Sequence, residues 1–242
     1  MRLSVLLKRA IVTPAAAEVT RAAEIYTVYH LRGGVGATSM AVNMAVALAQ
    51  LWGEPVVLLD LALTSGHIAL MLDLPARNTW GDLARVPESE RDKDVVEGHL
   101  SPHSSGVRIL PAPLTPEDGE LVTGKLVSTV LGYLRERYSY IVADTGSDFR
   151  EATVTMLDNS TLLYMPITAD LASVRSTSVA LNVFGSLGYD NDKIRLMLVP
   201  LVQKRALSQQ EIETAVKRTV YGAMPYDPEA FTYAINRGVP VV

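Results

Sequence analysis

The chain has no cysteine among its 242 residues, which excludes disulfides and cysteine-ligated metals. It has no apolar run near the roughly 20 residues that span a bilayer. It also lacks a strong excess of either charge: the formal net charge is -4, which argues against a dominant nucleic-acid surface. One further absence is local. The glycine-rich segment Leu31-Arg32-Gly33-Gly34-Val35-Gly36-Ala37-Thr38-Ser39 contains no lysine.

What is present is a large apolar fraction, 48% of residues, enough for one α/β domain with a substantial core. Residues 1–24 read as an N-terminal extension and 25–242 as a single domain. The opening Met1-Arg2-Leu3-Ser4-Val5-Leu6-Leu7-Lys8-Arg9 has too short an apolar stretch for a signal peptide. It reads as a frayed terminus or edge strand in preference to a membrane-surface helix. Ala15 to Ala23 reads as a short helix or linker.

Beyond that, apolar strands alternate with helical runs. Strands are expected at Ile25–Leu31, Pro55–Asp60, Val107–Leu110, Tyr140–Asp144, Thr161–Ile167, Ile194–Val199 and Val220–Met224. Most are apolar throughout, as in strands covered on both faces. A helix is expected over Met40 to Trp52. Leu121, Leu126, Val130, Leu131 and Leu134 fall on one face of another, and Val174, Leu181, Phe184 and Leu187 on one face of a third, which ends near Gly188. Pro87–Ser105 is polar and reads as an exposed excursion. The expected fold is α/β: a doubly wound, mostly parallel sheet flanked by helices, with ligands beyond the strands' C-terminal ends.

The glycine segment lies at one such end, between strand and helix, the context that makes a glycine motif a credible phosphate loop. Gly33, Gly34 and Gly36 permit close backbone approach, and successive N–H groups with the helix N-terminus behind them suit an anion. Thr38 stands where such loops offer a hydroxyl to Mg²⁺. Asp60 ends the run Val56 to Leu59 and Asp144 ends Tyr140 to Ala143. Both are placed at the same sheet edge, where carboxylates orient Mg²⁺. A lone strand-end Asp is often only a helix cap; two beside a glycine loop are more specific. Other candidates are weaker. His99 and His103 near Glu97 are separated by Pro102, which breaks any helix aligning them for zinc. Ser39, Ser65 and Ser147 lack a plausible His/Asp arrangement. Lys204, Arg205, Lys217, Arg218 and Arg237 read as a solvated face in preference to a DNA surface.

Arg32 to Ser39, Ala41-Val42-Asn43 and Leu59-Asp60-Leu61 resemble the deviant Walker-A P-loop ATPases of the MinD/ParA superfamily. Gly66 to Pro75, Leu110 to Asp118, Asp144-Thr145, Ile194-Arg195-Leu196, Leu207 to Ile212, Pro225-Tyr226-Asp227-Pro228 and Ala234 to Pro240 resemble its CpaE/TadZ-like pilus-assembly branch. The resemblance implies nucleotide binding by Arg32, Gly33, Gly34, Val35, Gly36, Ala37, Thr38, Ser39, Pro225 and Asp227, with Thr38, Asp60 and Asp144 toward Mg²⁺. It also shows departures. Arg32 stands for the lysine that reaches across a nucleotide-sandwich dimer. Ala37 stands for the second loop lysine, Ala62 for the water-positioning aspartate, and Val199 for the asparagine at the base. Removing one preorganised charge can cost ~10²–10³-fold in rate. No catalytic residue is therefore expected: ATP and Mg²⁺ binding is weakened or lost, and hydrolysis very slow or absent. What the resemblance implies is a cytoplasmic homodimer at the inner face of the membrane or the cell pole, placing a pilus or secretion machine. The alternative is an active MinD/ParA-type ATPase in spatial positioning or DNA partitioning.

Overall fold

The computed structural model describes residues 22–203 and 207–242. Nearly all of the expected helix or linker at Ala15 to Ala23, and the basic pair Lys204 and Arg205, lie outside them. The elements in order are β1 (Glu24–Val28), α1 (Ala37–Trp52), β2 (Val56–Leu61), α2 (Ile68–Met71), α3 (Trp80–Arg85), α4 (Lys93–Gly98), β3 (Ser101–Pro102) and β4 (Arg108–Leu110). Then follow α5 (Pro116–Glu120), α6 (Gly124–Arg135), β5 (Tyr140–Thr145), α7 (Glu151–Asn159), β6 (Leu162–Ile167) and α8 (Leu171–Ser186). The chain closes with β7 (Ile194–Leu198), α9 (Gln209–Val216), β8 (Val220–Ala223) and α10 (Pro228–Arg237).

The eight strands form one sheet in the order β3-β4-β2-β5-β1-β6-β7-β8. Every pairing is parallel except that of β3 with β4. Strand β1 sits between β5 and β6. The chain leaves it toward β2 on one side and later adds β6 to β8 on the other. The loop after β1 therefore lies where the strand order reverses, the ligand crevice of doubly wound sheets.

The central strands are apolar because both faces are covered: all six residues of β2 and all six of β5 are buried. Val56, Leu58 and Val142 pack with α1, and Val57, Leu59 and Ile141 with α6. Truncating a buried leucine such as Leu59 to alanine costs roughly 2–5 kcal/mol. Caps set the helix starts. Thr123 accepts from the Leu126 amide at 3.2 Å and Asp170 from the Ser173 amide at 3.0 Å. Helix α6 then buries Leu126, Val130, Leu131 and Leu134.

All seven expected strands are present, each with an end moved by a residue or more. Three readings are corrected. Strand β1 stops at Val28, short of Leu31, because the chain turns into the loop there. Leu121 and Leu187 lie beyond the ends of α5 and α8 and are exposed, so neither belongs to a buried face. Pro87–Ser105 is not wholly an exposed excursion: Val96 of α4 and Leu100 are buried in the core, and Ser101–Pro102 adds the antiparallel edge. A strand of two residues with a proline carries no period to detect.

Candidate phosphate-binding site

The loop after β1 is built by its glycines. Tyr29 keeps one ladder bond, its amide donating to the Tyr164 carbonyl at 2.9 Å. The chain then turns, with Gly34 at φ 79° and Gly36 at φ 83°. Both values are left-handed, where a side chain is strained. Gly36 is the N-cap of α1, and no side chain caps that helix. The first-turn N–H groups are thus left to a ligand, and the helix dipole favours an anion there. Gly33 and Gly34 are exposed, Thr38 and Ser39 half-buried, and Val35 and Ala37 buried. Ala37 sits in the first turn of α1, 4% exposed, and brings no charge to it.

Asp60 and Asp144 face each other in the β2–β5 register, and Asp144 also pairs with Val28 at the end of β1. Both are buried, 1% exposed. Their surroundings differ. Asp60 is committed to the backbone that follows it: one oxygen accepts from the Ala62 amide at 3.2 Å, the other from the Ile68 amide at 3.0 Å. Gly66 is pressed against it, since a Cβ there would lie 2.5 Å from both carboxylate oxygens. Neither oxygen of Asp144 has a hydrogen-bond partner. Burial raises both carboxyls above the ordinary range, and the Asp60 charge raises Asp144 further. The Thr38 hydroxyl opposes that rise without reaching bond geometry. Two unpartnered buried oxygens are costly unless something binds them. With the Thr38 hydroxyl beside them they fit a divalent cation whose remaining ligands come from phosphate and water. Among the described residues no group of three or more His, Cys, Asp or Glu could hold a metal unaided.

Arg32 has a partner within the chain. Its Nη1 donates to both carboxylate oxygens of Asp170 at 2.9 Å. Asp170 also accepts from the Thr168 hydroxyl at 2.6 Å and caps α8. Burial pushes its carboxyl up, but the bonds from Thr168 and Ser173 and the Arg32 guanidinium outweigh that and hold it low. Sequence reading missed Asp170, which lies 138 residues from Arg32. The Asp at the start of α8 carried a cap signal but nothing pointing to the loop.

Beside the loop opens a cavity of about 320 Å³, lined by Gly34, Gly36 and Ser39 at one end. Val199, Met224, Pro225 and Phe231 form its walls, and Asp227 stands at its rim. Pro225 and Asp227 are thus brought to the loop from β8 and α10, some 190 residues on. Val199 is close: a Cβ on Gly36 would meet its Cγ1 at 3.5 Å.

The weaker candidates do not converge. The His99 ring bonds the Val95 carbonyl and the His103 ring bonds Ser105. Arg218 donates to Asn191, while Arg237 stacks over Tyr233 on α10.

No protein-family model matches the chain. It is 22% identical over 223 residues to the septum site-determining protein MinD of Thermotoga maritima, covering 87% of this chain and 78% of that protein. Among solved structures, a ParA-family ATPase of Chlorobium tepidum superposes with a TM-score of 0.83 at 22% identity, covering 91% of each chain. MinD of Pyrococcus horikoshii, complexed with Mg-ADP, superposes with a TM-score of 0.76 at 19% identity, covering 90% of this chain and 87% of that one. The structural likenesses speak for the fold, and the sequence likeness spans 223 residues. In sequence the chain is thus similar to MinD, and in fold it is a P-loop protein of the MinD/ParA type.

Proposed function

We propose that this chain is a CpaE/TadZ-like P-loop protein that binds a Mg²⁺–nucleotide and hydrolyses it very slowly or not at all. It acts as a localisation and assembly factor for a pilus or secretion machine. The observation that carries the reading is the split between what holds phosphate and what turns it over. The glycine cradle, Thr38 and the unpartnered Asp144 are all in place. The loop position that should carry a lysine is the buried Ala37, and Ala62 follows Asp60 where a water-positioning carboxylate is wanted. Phosphoryl transfer depends on positioning and charge, so losing both groups suppresses rate far more than binding. The pilus branch rests on the segments Gly66 to Pro75, Leu110 to Asp118 and Ala234 to Pro240.

On this reading residues 25–242 work as one unit and pair as a homodimer across the loop face. Leu114 and Leu171 stand exposed there, 70% and 76%, at the C-terminal sheet edge. The place of action is cytoplasmic, at the inner face of the membrane or the pole. No helix among the described residues is long and apolar enough to cross a membrane.

Steady-state phosphate release from Mg²⁺-ATP tests the reading. Titration heat with turnover at background supports it, and turnover matching an active superfamily member rejects it. The second reading, a working ATPase in positioning or partitioning, draws on the intact Thr38 and Asp144, and the same assay decides for it.

A further inference from the structure

Three basic residues gather in a groove at the end of the sheet away from the phosphate loop. Strands β7 and β8 run parallel, and β8 is the last strand of the sheet. Just past their C-terminal ends, Val199 and Met224 line the cavity beside the loop. Their first residues, Ile194 and Val220, border a groove of about 540 Å³ at the opposite end. The length of β7 puts the two openings roughly 16 Å apart. Lys217 and Arg218 enter the groove from the end of α9, and Arg195 from β7.

Both guanidiniums are half-buried and held in place. Arg195 donates from Nη1 to the Asp192 carbonyl at 2.5 Å and lies 4.9 Å over the Tyr221 ring. Arg218 donates to the Asn191 carbonyl at 2.8 Å and to the Asn191 side-chain oxygen. These oxygens are neutral, so they orient the charges without cancelling them. Among the described residues neither arginine forms an ion pair. Burial, then the nearby Arg195 charge, lowers the Arg218 guanidinium from its ordinary value, and Asp192 only partly opposes this. Lys217 takes φ 54° at the end of α9, a left-handed position that suits glycine.

Two fixed like charges with a third beside them cost free energy that an anion between them returns. Arginine forks match carboxylate and phosphate oxygens alike, so the charge chooses between them. Three cations against the Asp192 carboxylate leave the described lining at a net +2. A carboxylate or a phosphodiester brings a single negative charge, whereas a phosphomonoester brings about −1.5 to −2 at neutral pH. We infer that this groove is a second anion site that takes a phosphomonoester, with Arg195 and Arg218 as its forks and Lys217 as an added charge. The site does not rest on the nucleotide reading. Soluble phosphate and a lipid headgroup ending in phosphate share its chemistry.

The test is titration of the full chain with inorganic phosphate in chelator, followed through the Nε–Hε signals of Arg195 and Arg218. Both signals should move along one saturating curve. Arg195→Gln should weaken that binding about tenfold. Lys217→Gly should weaken it about threefold while raising the denaturant midpoint, since glycine suits the left-handed position; misfolding would lower the midpoint instead. Flotation with phosphatidylcholine vesicles, with and without phosphatidic acid, tells the sources apart. Capture that needs phosphatidic acid and falls in Lys217→Gly identifies the headgroup, and phosphate binding without capture identifies a soluble ligand; either supports the site. Absence of both saturation and capture overturns it, as does phosphate binding that neither substitution weakens. Retention of duplex DNA through these residues, with no response to phosphate or phosphatidic acid, marks a phosphodiester surface and overturns it as well.

Discussion

The Arg32 guanidinium grips both carboxylate oxygens of Asp170 from 138 residues away. The charge nearest the phosphate loop is thereby neutralised within the same chain. Both side chains are about 40% exposed, so the pair itself is worth at most about 1 kcal/mol. Asp170→Asn keeps an N-cap residue and releases the arginine. It should leave urea stability within about 1 kcal/mol and tighten nucleotide binding several-fold. Unchanged affinity by calorimetry would mean that Arg32 does not turn to the loop when released.

Ala37→Lys restores a charge without restoring a water-positioning group. A charged hydrogen bond to phosphate contributes about 1.5–3 kcal/mol, so affinity should rise at least about tenfold. Turnover should stay near background, because Ala62 is still present. A rise in phosphate release with Ala37→Lys alone would show that the lysine was the only missing group. Since Ala37 is buried, some stability should be lost as well.

Asp144 and Asp60 set a pH dependence with a definite sign. Burial lifts both carboxyls above their unfolded value of about 3.9, with the Asp60 charge adding to the lift at Asp144. The folded state therefore holds their protons more tightly than the unfolded chain. That contribution is fully present below the unfolded pKa and is lost as pH rises through the raised folded values. Metal-free protein should lose thermal stability from pH 5 to pH 8, at roughly 2–4 °C per kcal/mol. Asp144→Asn should flatten that slope, measured by calorimetry in chelator. Parallel slopes for the two proteins would contradict the assignment.

Gly66→Ala tests the wall around Asp60. The added Cβ would fall 2.2 Å from the Ala112 Cβ and 2.5 Å from both Asp60 oxygens. Overpacking of that kind costs about 1–3 kcal/mol or more. The denaturant midpoint should drop by that amount. A neutral result would show that the turn after β2 yields easily.

Much of this was legible in the sequence because it is local. The apolar runs from Val56 to Leu59 and Tyr140 to Ala143 fix the parallel strands, and glycine spacing with the strand and helix on either side fixes the loop. The carboxylates at the ends of those runs come together because parallel strands share an edge. What was hidden depends on tertiary choice. Nothing near Asp60 says that it binds the turn at Ile68 while Asp144 stays unpartnered; two strand-end aspartates look alike until the chain folds over one of them. Arg32 reads as a free cation because its partner is a cap residue on a distant helix. Leu121 carries the period of α6 but lies in the turn before that helix begins.

One side chain ties the two halves of the cleft. Asn43 of α1 donates to the Ser39 carbonyl at 2.8 Å, one turn inside the cradle, and accepts from the Val241 amide at 2.7 Å. Val241 follows α10, whose start and side form the cavity's outer wall. The glycine loop proposed to hold phosphate and the cavity wall beside it are thus joined by one amide. A ligand spanning both does not meet two independent subsites: a shift in the first turn of α1 reaches the far wall through Asn43, so filling one end alters the fit at the other.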